Sequence, residues 1–137
     1  MTPEDTPAPI RVSAVVLKDE SGRVLMVRKR GTVRFMLPGG KPEPGESAAQ
    51  TAVRECYEEL GLVLDPQALR PLGVYTAPAA NEPGRDVEGT VFTHPFAGPG
   101  HAAAEIEELR WIGPAGWDGD DLAPLSRIIL PSMPVHG

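Results

Sequence analysis

Three glutamates crowd into five residues of this chain: Glu55, Glu58 and Glu59, with Arg54 immediately before them. At i, i+3 and i+4 the carboxylates meet on one face if the segment is helical. Like charges at that spacing repel by roughly a few tenths of a kcal/mol per exposed pair, so the cluster asks for a compensating cation. A hard divalent ion takes carboxylate oxygens and keeps positions for water and substrate phosphate. The chemistry this arrangement suits is metal-assisted hydrolysis of a phosphate ester or anhydride. The bland alternative is a solvated acidic helix face.

The elements that must position these residues can be read around them. Ser47 is a plausible N-cap, and Gln50 completes a capping box. The helix should run to about Leu60, with Gly61 at the C′ position, where a left-handed conformation costs little. Ala49, Ala52, Val53, Cys56 and Leu60 share one apolar arc, and the carboxylates take a neighbouring arc. By this reading Glu59 lies outside the packed face, so replacing it should leave the fold intact. Cys56 lies inside it and reads as buried filler. Arg54 stands four residues before Glu58, within ion-pair reach.

Before the helix, Ile10 to Leu17 and Arg23 to Val27 read as a strand hairpin turning at Lys18 to Gly22. Phe35 to Leu37 reads as a short strand, and Pro38-Gly39-Gly40 as a breaker. After it, Leu69 to Thr76, Val87 to Phe96 and Glu105 to Ile112 read as strands. The Pro/Gly-containing segment from Thr76 to Asp86 could form a substrate lid. Leu122 to Leu130 reads as a closing helix stopped by Pro131 and Pro134. Strands on both sides of one well-signalled helix give a mixed α/β layer fold.

The chain of 137 residues suffices for one domain with a core. We expect a loose tail over residues 1–9 and a single domain over residues 10–137. The net charge of −6 argues against a general nucleic-acid surface. Cys56 is the single cysteine, which leaves no intrachain disulfide and no Cys/His zinc set with His94, His101 or His136. No apolar run is long enough for a membrane span. The first residues lack a secretory pattern, so cytoplasm is the default expectation.

The segment Gly40, Glu46, Arg54, Glu55, Cys56, Glu58, Glu59, Gly61, Leu62 resembles the signature of the Nudix hydrolase family at every fixed letter and spacing. The resemblance implies an α/β/α sandwich around a mixed β-sheet, with a loop-helix-loop catalytic box. It also implies hydrolysis of a nucleoside diphosphate linked to another moiety, using Mg2+, with Mn2+ as a substitute. By that match Glu58 and Glu59 are metal ligands. Glu55 is a further ligand or the group that orients or deprotonates water, and a carbonyl of Gly39 or Gly40 adds an oxygen. Arg54 would hold a catalytic glutamate. Glu46 is either a ligand-side or loop-anchoring carboxylate, or simply an acid favourable at a helix N-terminus. A second carboxylate from beyond the box would come from Glu88, Glu105, Glu107 or Glu108, with Glu105 in the position many family members use.

Arg28, Arg34 and Lys41, with Lys29 and Arg30 beside them, could meet substrate phosphates. Phe35, Tyr75 and Phe92 could stack on a base or simply fill the core, and Trp111 reads as core. The box names the bond and not the leaving group. Relatives that cleave ADP-ribose carry a proline at a set distance beyond the box, where this chain has Ala77, with Pro78 one position later. Tyr75 falls too early for the tyrosine of dinucleoside-polyphosphate enzymes. A nucleoside triphosphate or modified nucleotide is the first expectation, and ADP-ribose or a nucleotide sugar the second. A non-catalytic nucleotide sensor is the alternative from another class, although such domains usually lose the Glu-Glu pair. The expected partner is a small nucleotide-like molecule, with no nucleic acid and no membrane; a homodimer is left open.

Overall fold

The first apolar run forms β1 (Ile10–Leu17), and its alternation decides the architecture. Ala14 and Val16 enter one core, while Val15 and Leu17 enter another. A strand buried on both faces must lie inside a layered fold. The computed structural model describes residues 8–80 and 82–133. Most of the expected N-terminal tail, together with Pro134 and His136, lies outside those residues.

Two sheets form. The larger has the order β3-β1-β5-β4, with β3 at Gly39–Gly40, β4 at Arg70–Pro78 and β5 at Asp86–His94. It is mixed: β1 runs parallel to β5, while β3 pairs antiparallel with β1 and β4 antiparallel with β5. The smaller joins β2 (Val24–Lys29) to β6 (Ile106–Ile112), antiparallel. The long helix α1 (Ala48–Leu60) places Ala52, Cys56 and Leu60 in the core with Val15 and Leu17. The short helix α2 (Pro124–Ile129) closes the other core, with Ile129 against Ala14, Val16 and Val91. Helices on opposite faces of a mixed sheet give the expected α/β/α sandwich.

Several elements differ from the sequence reading. The chain does turn after β1, where the Asp19 carboxylate accepts the backbone N–H groups of Ser21 and Arg23 at 2.9 Å each. The expected β1–β2 hairpin does not form, because β2 leaves for the second sheet after one bridge, Lys18 to Val24. Val24 to Val27 are all buried and feed both cores, so this strand cannot sit beside β1 with one face in solvent. Phe35 and Met36 make only isolated bridges, and the Gly39-Gly40 breaker is itself a strand, paired with Ala14 and Ser13. The ends of the segment from Thr76 to Asp86, Thr76 to Pro78 and Asp86, pair in a β4–β5 hairpin, and the described residues between them form its connecting loop. The closing helix is shorter than expected, and Pro131 falls within a following 3-10 turn, Leu130–Ser132. Phe35 and Phe92 are core residues, and Tyr75 packs against the core. Trp111 is half-buried and stacked on Phe96 at 5.9 Å.

Cys56 is fully buried, and burial pushes its thiol up to about 12. Cys56→Ala is expected to cost about 1 kcal/mol through lost packing and to leave the chemistry unchanged. Denaturant melts and intact-mass analysis after incubation with substrate test this; a covalent adduct on Cys56 would contradict it.

Candidate active site

The site is built on α1 and the loop that feeds it. Ser47 accepts the Gln50 N–H at 3.1 Å while the Gln50 side chain accepts the Ser47 N–H at 2.8 Å, so the expected capping box is present. At the other end Gly61 takes φ 70° and donates to Tyr57 O. The following loop reaches back, with His101 N–H to Leu60 O and Ala103 N–H to Glu59 O. The helix is therefore fixed at both ends, and its acidic residues have defined directions.

Those directions divide the three glutamates. Glu58 is exposed. Glu55 is half-buried, and Glu59 is 1% exposed. The expectation that Glu59 lies outside the packed face is corrected: β3 and the loop after β5 cover that side of the helix, contacts the helical period alone does not reveal. Glu59 Oε1 accepts the Gly39 N–H at 3.1 Å, whereas Oε2 is buried with no hydrogen-bond partner among the described residues. Burial pushes the Glu59 carboxyl up to about 8, and burial likewise raises that of Glu55 against the pull of Arg54.

The two glycines permit this approach. A Cβ on Gly39, at φ 155°, would collide with Ser13 O, and one on Gly40 would stand 2.6 Å from Glu55 Cδ. The Gly-Gly pair thus lets β3 lie against both β1 and the acidic face of α1.

Arg54 organises the outer side. Its fork grips Glu46, Nε to Oε2 at 2.8 Å and Nη2 to Oε1 at 2.9 Å, a bidentate geometry stronger than a single contact. Nη1 donates to Glu55 Oε1 at 2.8 Å and more loosely to Glu58 Oε2 at 3.3 Å, while Nη2 reaches the Lys41 carbonyl at 3.1 Å. The i,i+4 pair anticipated from spacing is therefore the weaker one. Glu46 also accepts from Thr51 Oγ1 at 2.7 Å and from the Glu43 N–H at 3.0 Å.

This network fixes a pH dependence. The Arg54 hydrogen bonds hold the Glu46 carboxyl down at about 2, against 4.5 ordinarily. A depressed carboxylate stabilises the fold above its unfolded pKa, and that contribution is lost as pH falls through the folded value. The stability contributed by Glu46 should thus be complete above about pH 4.5 and decline toward pH 2. Glu46→Gln should flatten this acid limb in denaturant melts run across pH; an unchanged limb would contradict it.

A cleft of about 180 Å³ opens beside Gly39 and Gly40, lined by Ile10, Val12, Val87 and Leu125. Among the described residues its one cationic lining side chain is Lys29, whose Nζ lies 3.3 Å from Glu105 Oε1. Arg28 instead donates to Thr32 O at 2.9 Å and pairs with Glu108 at 3.3 Å. Arg34 and Lys41 are exposed. The sequence reading named Lys29 among the possible phosphate contacts but put Arg28 and Arg34 ahead of it, and it did not foresee the cleft. The pairing of β2 with β6 shifts register between Arg28 and Lys29, passing over Glu107, and such an irregularity re-aims a side chain that strict alternation would misplace.

The corner suits a hard cation: one buried carboxylate oxygen lacks a partner, and two neighbouring carboxyls are held above their ordinary range by burial. Among the described residues no three His, Cys, Asp or Glu side chains form a ready ligand set, because Glu58 is turned outward toward Arg54. Backbone oxygens, water or substrate would complete the shell, as is usual for an ion that keeps several waters.

A glycine pair pressed against an acidic helix, on a mixed sheet between two helices, defines the Nudix type of α/β/α sandwich. The NUDIX domain family model matches residues 7–130, and the chain belongs to that family. It is 35% identical over 103 residues to a Bacillus subtilis (strain 168) protein provisionally named 8-oxo-dGTP diphosphatase, covering 73% of this chain and 64% of the relative. It is 33% identical over 90 residues to ADP-ribose pyrophosphatase of Methanocaldococcus jannaschii, covering 64% of this chain and 48% of the relative. The match thus spans less than two thirds of either relative's length. The crystal structure of MutT NUDIX hydrolase from Burkholderia pseudomallei superposes with a TM-score of 0.74 at 25% identity, covering 93% of this chain and 100% of that one. The solution structure of the E. coli ORF135 protein superposes with a TM-score of 0.71 at 27% identity, covering 90% and 86%.

Proposed function

We propose that the chain is a Mg2+-dependent pyrophosphohydrolase that cleaves a nucleoside diphosphate-linked small molecule, foremost a nucleoside triphosphate or modified nucleotide. The observation that carries this reading is the buried Glu59 carboxylate, one oxygen unpartnered, set beside Glu55 against the Gly39-Gly40 backbone. Glu59, Glu55 and Glu58, with a carbonyl oxygen of Gly39 or Gly40, would hold the ion. When bound there, Mg2+ supplies charge neutralisation at the phosphate oxygens and lowers the pKa of water.

The chain's own residues do the rest. Arg54 holds Glu55 by one oxygen at 2.8 Å, and a Glu55 carboxylate oxygen takes the proton of the attacking water. The water oxygen bonds to phosphorus as the bridging P–O bond breaks, and the electron pair leaves with the departing phosphate oxygen. Glu46 and the Lys41 carbonyl fix the other edge of Arg54. The cleft is smaller than the roughly 300–1,000 Å³ that encloses a whole drug-sized ligand. It would take one ring-sized apolar moiety and leave the phosphates at its acidic edge. Arg28, Arg34 and Lys41 remain candidates for outer phosphates, and Glu105 for a second carboxylate.

A panel of nucleoside triphosphates, oxidised nucleotides, ADP-ribose, nucleotide sugars and dinucleoside polyphosphates, assayed with Mg2+ and with Mn2+, tests the proposal. Metal-dependent release of two phosphorylated products, or of a mononucleotide and pyrophosphate, is expected. Preferred cleavage of ADP-ribose or a nucleotide sugar would move the substrate assignment to that class.

A further inference from the structure

We propose that Lys29 is the substrate-phosphate contact of this site, reaching the phosphate group next to the moiety seated in the cleft. The inference rests on the hydrolase reading above and assigns a residue that reading does not need. Its first ground is position. Lys29 ends β2 and lines the cleft together with Gly39 and Gly40, the backbone that also touches Glu59 and Glu55. The ammonium is thus at the junction of the apolar cleft and the acidic corner. A nucleotide whose ring fills the first and whose reacting phosphate meets the second must pass that junction.

The second ground is charge. The cleft lining otherwise offers one ionisable side chain among the described residues, Glu82, which would repel a phosphate. Lys29 acts electrostatically on both Glu55 and Glu59, so its charge is felt where the reacting phosphate would lie. The third is availability. Its ion-pair partner, Glu105, is 61% exposed at the side chain and separated by 3.3 Å. Lys29 itself is half-buried, but a pair whose carboxylate is this open to solvent is screened and worth little, so Lys29 can exchange or share that partner at small cost. Arg28, by contrast, is committed to Thr32 O and Glu108. Lysine suits the task as a compact point charge on a flexible stem.

The alternative is a strap, in which Lys29 merely ties β2 to the loop carrying Glu105. Calorimetric binding separates the two, using inorganic pyrophosphate with Mg2+ and, separately, guanosine. Lys29→Gln should weaken pyrophosphate about tenfold, leave guanosine affinity unchanged and barely move the melting temperature; Lys29→Arg should recover most of the loss. On a substrate found by the panel, Lys29→Gln should raise KM more than it lowers kcat. Unchanged pyrophosphate affinity in folded Lys29→Gln overturns the assignment, as does a parallel fall for guanosine and pyrophosphate, which marks a structural role. If the wild type hydrolyses a panel member while Lys29→Gln keeps its KM, this inference fails and the hydrolase reading stands. A folded wild type that hydrolyses nothing removes both.

Discussion

Glu59→Gln is expected to lower turnover by at least about two orders of magnitude, the scale on which loss of one preorganised electrostatic contact acts. The fold should survive, for a reason that only the structure supplies. Glu59 is buried, but its Oε1 accepts the Gly39 N–H, and the glutamine carbonyl can accept the same bond. The amide is also neutral, the form that burial favours at this position. The effect should be visible without turnover. Mg2+ should raise the melting temperature of the wild type, since an ion at one hundred times its Kd stabilises by about 2.7 kcal/mol, and should not raise that of the variant. Near wild-type turnover at saturating Mg2+, or an equal thermal shift in the variant, would remove Glu59 from the metal site.

Arg54→Ala is expected to have the next largest effect. One guanidinium holds Glu46, Glu55, Glu58 and the Lys41 carbonyl, so its loss leaves three carboxylates to repel one another and frees the loop before α1. Turnover should fall at least about tenfold, because a displaced group costs rate even when it makes no bond to substrate. Stability should fall by about 2 kcal/mol, the range for charged hydrogen bonds with some solvent contact. Arg54→Lys should recover little, since one ammonium cannot reproduce the bidentate grip on Glu46. Turnover and denaturant melts of both variants check this; a lysine variant equal to wild type would contradict the fork.

What the sequence made legible was local. Ser47 and Gln50 named the start of α1, Gly61 named its end, and the 3.6-residue period put Ala52, Cys56 and Leu60 inside. The less legible features depend on contacts between distant segments. Glu59 is buried because Gly39 and the loop after β5 close over the helix, which no helical wheel records. Arg54 prefers Glu46, eight residues away, because the loop folds back through Thr51 and Glu43. The β1–β2 hairpin looked sound because its turn is sound; the pairing failed because β2 is apolar on both faces and serves two cores. Lys29 was legible only as one of several neighbouring cations that could meet phosphate, with Arg28 and Arg34 ahead of it, because a register shift between Arg28 and Lys29 re-aims the strand end.

The central claim, water attack on a diphosphate linkage with a divalent ion, is tested most directly by turnover of the panel in heavy-oxygen water, with Mg2+ present and then chelated. The account predicts cleavage that stops on chelation, with heavy oxygen incorporated into one phosphorylated product and none left on the protein. A folded, metal-loaded protein that releases nothing from any member, yet binds one nucleotide tightly, would contradict it and make the domain a binding module.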